Sequence, residues 1–189
     1  IRGIGKAIKG TFGIVFPTFN EYPESIGYER VVKYMPENGS FSYPIDDLTK
    51  LAEKTDNLLL INPDNPSGHF IRKEKLLTLL LRLKEMNKKI ILDESFVDFS
   101  DYGESETLIR SSILENYPNL IVIKSISKSY GIPGARLGIL ATSNKDIMDK
   151  IRREIPIWNI NSFGEFFLQI IGKYKEEYAK GCEKISKER

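Results

Sequence analysis

At 189 residues, 41% of them hydrophobic and 29% charged, the chain has the composition of one ordinary globular domain with a packed core. Its 28 basic and 26 acidic residues nearly cancel, which argues against the broad positive field that holds nucleic acid or anionic lipid. One cysteine, Cys182, and one histidine, His69, exclude an internal disulfide and a thiolate–imidazole zinc site.

No apolar run reaches the length of a membrane span and no leader pattern opens the sequence, so neither membrane nor nucleic-acid partners are expected. With so little cysteine, a reducing, cytoplasmic compartment is expected. The chain starts at Ile1 rather than methionine, on an amphipathic stretch (1–8) without an N-cap, and stops inside a charged helical pattern. Both ends are expected to be boundaries within a longer protein.

Apolar runs at residues 13–16, 30–34, 57–61, 89–92, 120–124 and 137–141 read as strands, rich enough in Val, Ile and Leu to be buried on both faces. Between and after them, residues 45–54, 72–87, 107–116, 145–154 and 163–187 carry helical periodicity. In the second of these, Leu76, Leu77, Leu80 and Leu83 form the expected core stripe. Alternating strands and helices predict an α/β fold of three layers, α/β/α, around a mostly parallel sheet.

In an open parallel sheet the ligand lies beyond the carboxyl ends of the strands. That selects residues 17–22, 62–68, 93–96 and 125–136. Asn62-Pro63-Asp64-Asn65-Pro66-Ser67-Gly68 fixes a turn that presents amide side chains at the sheet edge, although an Asx turn needs fewer such residues. Asp93 ends a buried run, where an unpaired carboxylate is costly and calls for a cationic partner; capping the next turn is its plainer role. In the run 125–136, hydroxyls flank Lys128 and Arg136 follows eight residues later. Hydroxyl and guanidinium groups together bind phosphate, and a lysine amine condenses with carbonyls. Alone, Lys128 would read as a solvated surface lysine. Glu94, Asp98 and Asp101 lack a metal-binding pattern, and Asp98 and Asp101 are expected to be solvated loop charges.

Taken together, Asn-Pro-x-Asn-Pro-x-Gly, Asp-Glu-x-Phe and Ser-x-Ser-Lys with an arginine eight residues on resemble the class I/II aminotransferases of the pyridoxal 5'-phosphate (PLP) fold type I. The stretches 17–22 and 156–162 are most similar to the subgroup of histidinol-phosphate aminotransferase and threonine-phosphate decarboxylase. The resemblance extends over essentially all 189 residues and implies a partial PLP-binding large domain at 1–189, lacking the N-terminal segment and the C-terminal small domain. It implies Lys128 as the residue that carries PLP and later moves the α-carbon proton, and Asp93 as the partner of the pyridinium nitrogen. Asn65 would donate to the phenolic oxygen and Phe19 would stack on the ring. Ser125, Ser127 and Arg136 would hold the phosphate. Tyr22 and Asn159 would approach the substrate, with a structural amide as the other role for Asn159 and Asn161.

Phe96 departs from the family pattern, which places a tyrosine there; a phenylalanine also occurs in the decarboxylase relatives. The implied function is amino-group transfer between an amino acid or phosphorylated amine and a 2-oxo acid. The alternatives are α-decarboxylation of a phosphorylated or phosphonate amino acid, and a non-catalytic PLP-fold module. A homodimer with its active site at the subunit interface is the implied assembly, and no metal is expected.

Overall fold

A computed structural model describes residues 1–39 and 41–188. Six strands, β1 (Phe12–Val15), β2 (Val31–Tyr34), β3 (Asn57–Ile61), β4 (Lys89–Asp93), β5 (Leu120–Ser125) and β6 (Gly138–Ala141), form one sheet in the order β2-β1-β3-β4-β5-β6. The first five are mutually parallel; β6 runs antiparallel to β5. All six fall where the apolar runs predict them, within one or two residues at each end.

Nine α-helices are described: α1 (Arg2–Ala7), α2 (Glu21–Ile26), α3 (Ile45–Glu53), α4 (Lys73–Glu85), α5 (Ser111–Asn116), α6 (Ile126–Ser129), α7 (Lys145–Glu154), α8 (Ser162–Ile170) and α9 (Lys175–Glu188). Side chains alternate across a strand, so β3 sends Leu58 and Leu60 to one face and Leu59 and Ile61 to the other. The first face packs with Leu48 and Leu51 of α3 and Leu76, Leu79, Leu80 and Leu83 of α4. The second packs with Ile4 of α1, Tyr22 and Ile26 of α2, and Ile147 and Ile151 of α7. This is the expected three-layer α/β/α arrangement, with Leu79 rather than Leu77 fully buried in α4.

Two helices differ from expectation. The pattern over 107–116 becomes helical only at Ser111, because the Glu94 carboxylate takes the Leu108 N–H at 2.7 Å and the Thr107 hydroxyl at 2.5 Å, holding that stretch extended. The predicted helix over 163–187 is interrupted by a 3-10 turn at Ile171–Tyr174. Gly172 lies at the interruption, and glycine is a weak helix former. A third element, α2, has no counterpart among the predicted helices. Gly5 lets α1 lie against it: a Cβ there would sit 2.1 Å from the Ser25 carbonyl oxygen. Among the described residues no helix is long and apolar enough to cross a membrane.

Candidate active site

The carboxyl ends of β1, β3, β4 and β5 converge on one rim of the sheet. Register sets their depth, since Ile61 pairs with Asp93 and Asp93 with Ile123. Asp93 is the last residue of β4 and only 6% exposed. Its Oδ1 accepts the Ser95 N–H at 2.8 Å, and its Oδ2 accepts the Tyr22 hydroxyl in a short, buried hydrogen bond. Burial pushes the Tyr22 phenol well above its ordinary pKa, with the negative charge of Asp93 adding to it. Tyr22 is held there by α2, whose last turn and the neighbouring α1 are tied by Arg30, donating to the Ile26 carbonyl at 3.2 Å and the Gly5 carbonyl at 2.9 Å.

Beyond β5 the chain enters α6, a single turn that lifts Lys128 out of the sheet. Its Nζ lies 4.4 Å from the centre of the Phe96 ring and 5.4 Å from that of Phe19, and it forms no ion pair among the described residues. Phe19 meets Tyr22 edge-on, their ring centres 6.2 Å apart. The site thus has an exposed amine beside two aromatic faces and, at a buried strand end, a carboxylate held by one phenol and one amide.

The turn after β3 is closed by Asn62, whose Nδ2 donates to the Ile71 carbonyl at 2.9 Å while its Oδ1 accepts the Ile71 N–H at 2.7 Å. A backbone bond from Asp64 N–H to the His69 carbonyl, 2.8 Å, tightens the same loop. Half-buried Asn65 is presented from this frame. A cavity of about 500 Å³ opens beside it, lined by Pro63, Asn65, Phe70, Phe96 and Phe99.

Arg136 adopts the left-handed conformation, φ 55° and ψ 40°, at the exit of the turn following Lys128, and is exposed. Ser125 stands at the N-cap of α6. Ser127 is the other serine expected at the phosphate. Its side chain is buried, its hydroxyl donating to the Leu137 carbonyl at 3.1 Å and accepting the Leu137 N–H at 2.6 Å. These two contacts tie Ser127 to the β5–β6 return.

Tyr22, expected to approach the substrate, is 1% exposed with its hydroxyl on Asp93. Asn159 is exposed. Asn161 is the structural amide, capping α8 through the Gly164 N–H at 2.8 Å and donating to the Ala135 carbonyl at 3.1 Å. Asp98 is not a solvated loop charge. It is 7% exposed, 2.6 Å from Lys124 Nζ, and also accepts the Tyr178 hydroxyl of α9. Ser95 escaped the sequence analysis altogether, although a serine two residues after an aspartate is the position whose N–H closes an Asx turn.

The chain belongs to the aminotransferase class I and II family, which matches residues 11–171, and pyridoxal 5'-phosphate is that family's cofactor. The chain is 36% identical over 180 residues to the L-serine phosphate decarboxylase of Sulfurospirillum multivorans, covering 93% of this chain and 45% of that protein. The structure of a decarboxylase from the same bacterium matches with a TM-score of 0.79 at 34% identity, over 94% of this chain and 52% of the other. Histidinol-phosphate aminotransferase from Clostridium acetobutylicum matches with a TM-score of 0.81 at 27% identity, over 98% and 54%. The chain spans about half the length of these relatives.

The residues present fit PLP. A buried carboxylate whose hydrogen-bond partners among the described residues are a phenol and a backbone amide suits a protonated ring nitrogen, two aromatic faces flank an amine without an ion pair among those residues, and an exposed arginine lies one turn beyond.

Proposed function

We propose that the protein is a PLP-dependent enzyme acting at the α-carbon of a phosphorylated amino acid, with decarboxylation as its reaction, and that this chain is its large domain. The observation that carries the chemistry is the placement of Lys128, an amine with no ion pair among the described residues, and the buried carboxylate of Asp93 on one rim of the sheet.

Bound there, the cofactor would supply the conjugated ring that accepts the electron pair left at the substrate α-carbon. Asp93 would hold a proton on the ring nitrogen, its own charge oriented by Tyr22 and the Ser95 amide. Lys128 Nζ would be the attachment point and afterwards the acid that returns a proton to the α-carbon. Asn65 would donate to the phenolic oxygen; Phe96, lacking a hydroxyl, offers no second donor there. Phe19 would cover one ring face. Ser125 and Arg136 would bind the phosphate, Arg136 by its fork of N–H donors.

Phe96, together with the similarity to L-serine phosphate decarboxylase, favours loss of carbon dioxide over amino transfer. Amino transfer to a 2-oxo acid is the second reading, supported by the similarity to histidinol-phosphate aminotransferase. The proposal also includes a cytoplasmic homodimer, in which a partner subunit and the remainder of a longer polypeptide complete the substrate pocket.

The first test is an absorbance spectrum with added PLP, before and after borohydride, with peptide mass mapping. A long-wavelength band and reduced cofactor on Lys128 are expected, with both absent in Lys128→Ala; cofactor on any other residue would refute the assignment. Incubation with phosphorylated amino acids then separates the two readings, since only a decarboxylase releases carbon dioxide without consuming a 2-oxo acid.

A further inference from the structure

Resting on the PLP assignment above, we propose that Ser95 is a positioning residue that holds the two halves of the active site, Asp93 and the Lys128 turn, in register. Ser95 is 4% exposed and makes two hydrogen bonds with different parts of its structure. Its backbone N–H donates to Asp93 Oδ1 at 2.8 Å, and its side-chain oxygen accepts the Ser125 N–H at 3.0 Å.

The reason for the second bond lies in how β4 ends. The last backbone bond between β4 and β5 runs from Glu94 N–H to the Ile123 carbonyl, 2.8 Å. In a continuing parallel ladder the Ser125 N–H would next donate to the Glu94 carbonyl. That carbonyl has already turned into the 3-10 turn after β4 and accepts the Val97 N–H at 3.1 Å. Ser125, the N-cap of α6, would therefore carry an unsatisfied donor in a half-buried place.

The Ser95 hydroxyl stands in for the missing carbonyl and extends the ladder by one bond past the end of the strand. One residue then sets both the orientation of the Asp93 carboxylate and the origin of the helix turn that bears Lys128 three residues later. An alanine at 95 keeps the amide on Asp93 but cuts the link to Ser125. Rigid support of this kind decides whether reacting groups sit within a fraction of an ångström of their working geometry.

The test compares wild type, Ser95→Ala and Ser95→Thr in the whole protein. Three quantities are read: the PLP dissociation constant, the induced circular dichroism of the cofactor band per mole of bound cofactor, and hydrogen exchange of the 125–131 segment without cofactor. Ser95→Ala should load Lys128 with about tenfold weaker binding, lower ellipticity per bound cofactor and faster exchange at 125–131, while Ser95→Thr, which keeps the hydroxyl, should recover all three. Ellipticity per bound cofactor reports geometry rather than occupancy, so a merely structural role would leave it unchanged. That result in Ser95→Ala overturns the proposal, as does a threonine variant indistinguishable from alanine. Wild type that leaves Lys128 unmodified would overturn the PLP assignment and this proposal with it, a failure recognisable in the wild-type arm alone.

Discussion

Asp93 shows how much of the site a single residue type declares and how much it leaves to the fold. A carboxylate at the end of a buried strand is visible in the sequence, as is its need for a partner. That its support would be a phenol from a helix 71 positions earlier in the chain is not, because only the packing of α2 on the second face of the sheet brings Tyr22 there. Tyr22→Phe keeps the ring and removes the hydroxyl, leaving Asp93 with the Ser95 amide alone. A hydrogen bond to a charged group contributes about 1.5–3 kcal/mol. A loss of about 2 kcal/mol in urea unfolding is therefore expected, together with severalfold weaker PLP binding from a carboxylate less well aimed. Unchanged cofactor affinity with the full stability loss would show that the phenol supports the core and not the acid. Ser127 carries the complementary lesson: its hydroxyl beside Lys128 is visible in the sequence, whereas its contacts with the Leu137 backbone ten residues on come only with the fold.

At the scale of elements, propensity locates the strands and long-range hydrogen bonds move the helix ends. Residues 107–110 carry helical periodicity yet stay extended because the Glu94 carboxylate holds them. Burial raises the Glu94 pKa above 4.5, and neighbouring Asp98 adds to the shift; the bonds from Thr107 and Leu108 and the charge of Lys124 act against it. Because the folded value is the higher one, the folded protein retains a proton that the unfolded chain has released between the two values. Stability contributed by this group is therefore present below pH 4.5 and falls as pH rises through the raised value. Glu94→Gln can keep both contacts, its oxygen accepting from Leu108 and its amide donating to Thr107. Its stability at pH 7 should lie within about 1 kcal/mol of wild type, and its pH–stability curve should lack that decline. Urea midpoints measured from pH 4 to pH 8 decide it: parallel curves for the two proteins would mean that Glu94 is not the group responsible. The break between α8 and α9 and the burial of Asp98 under Tyr178 have the same origin, tertiary contacts and a glycine overriding a periodic pattern.

For the whole molecule, the layer order follows from period-two alternation: once Leu58 and Leu60 face one way and Leu59 and Ile61 the other, helices must cover both sides. The sequence is less informative about surfaces. Residues 155–166 are rich in apolar side chains, yet Ile157 and Trp158 are each 92% exposed and Phe163 is 85% exposed. A monomer rarely leaves such groups in water, which accords with the proposed homodimer. Trp158 is the single tryptophan of the chain, so its emission reports on this stretch alone. In the isolated 189-residue chain the emission should be that of a solvated indole, open to iodide quenching. In the assembled protein it should shift to the blue and resist quenching, returning to the red on dilution through the dissociation range. Buried interface tryptophans rank among the residues whose truncation costs most, about 2 kcal/mol or more, so Trp158→Ala should raise the dimer dissociation constant by at least about thirtyfold. If sedimentation shows the variant dimerising as tightly as wild type, with wild-type emission independent of concentration, the stretch is not the dimer contact.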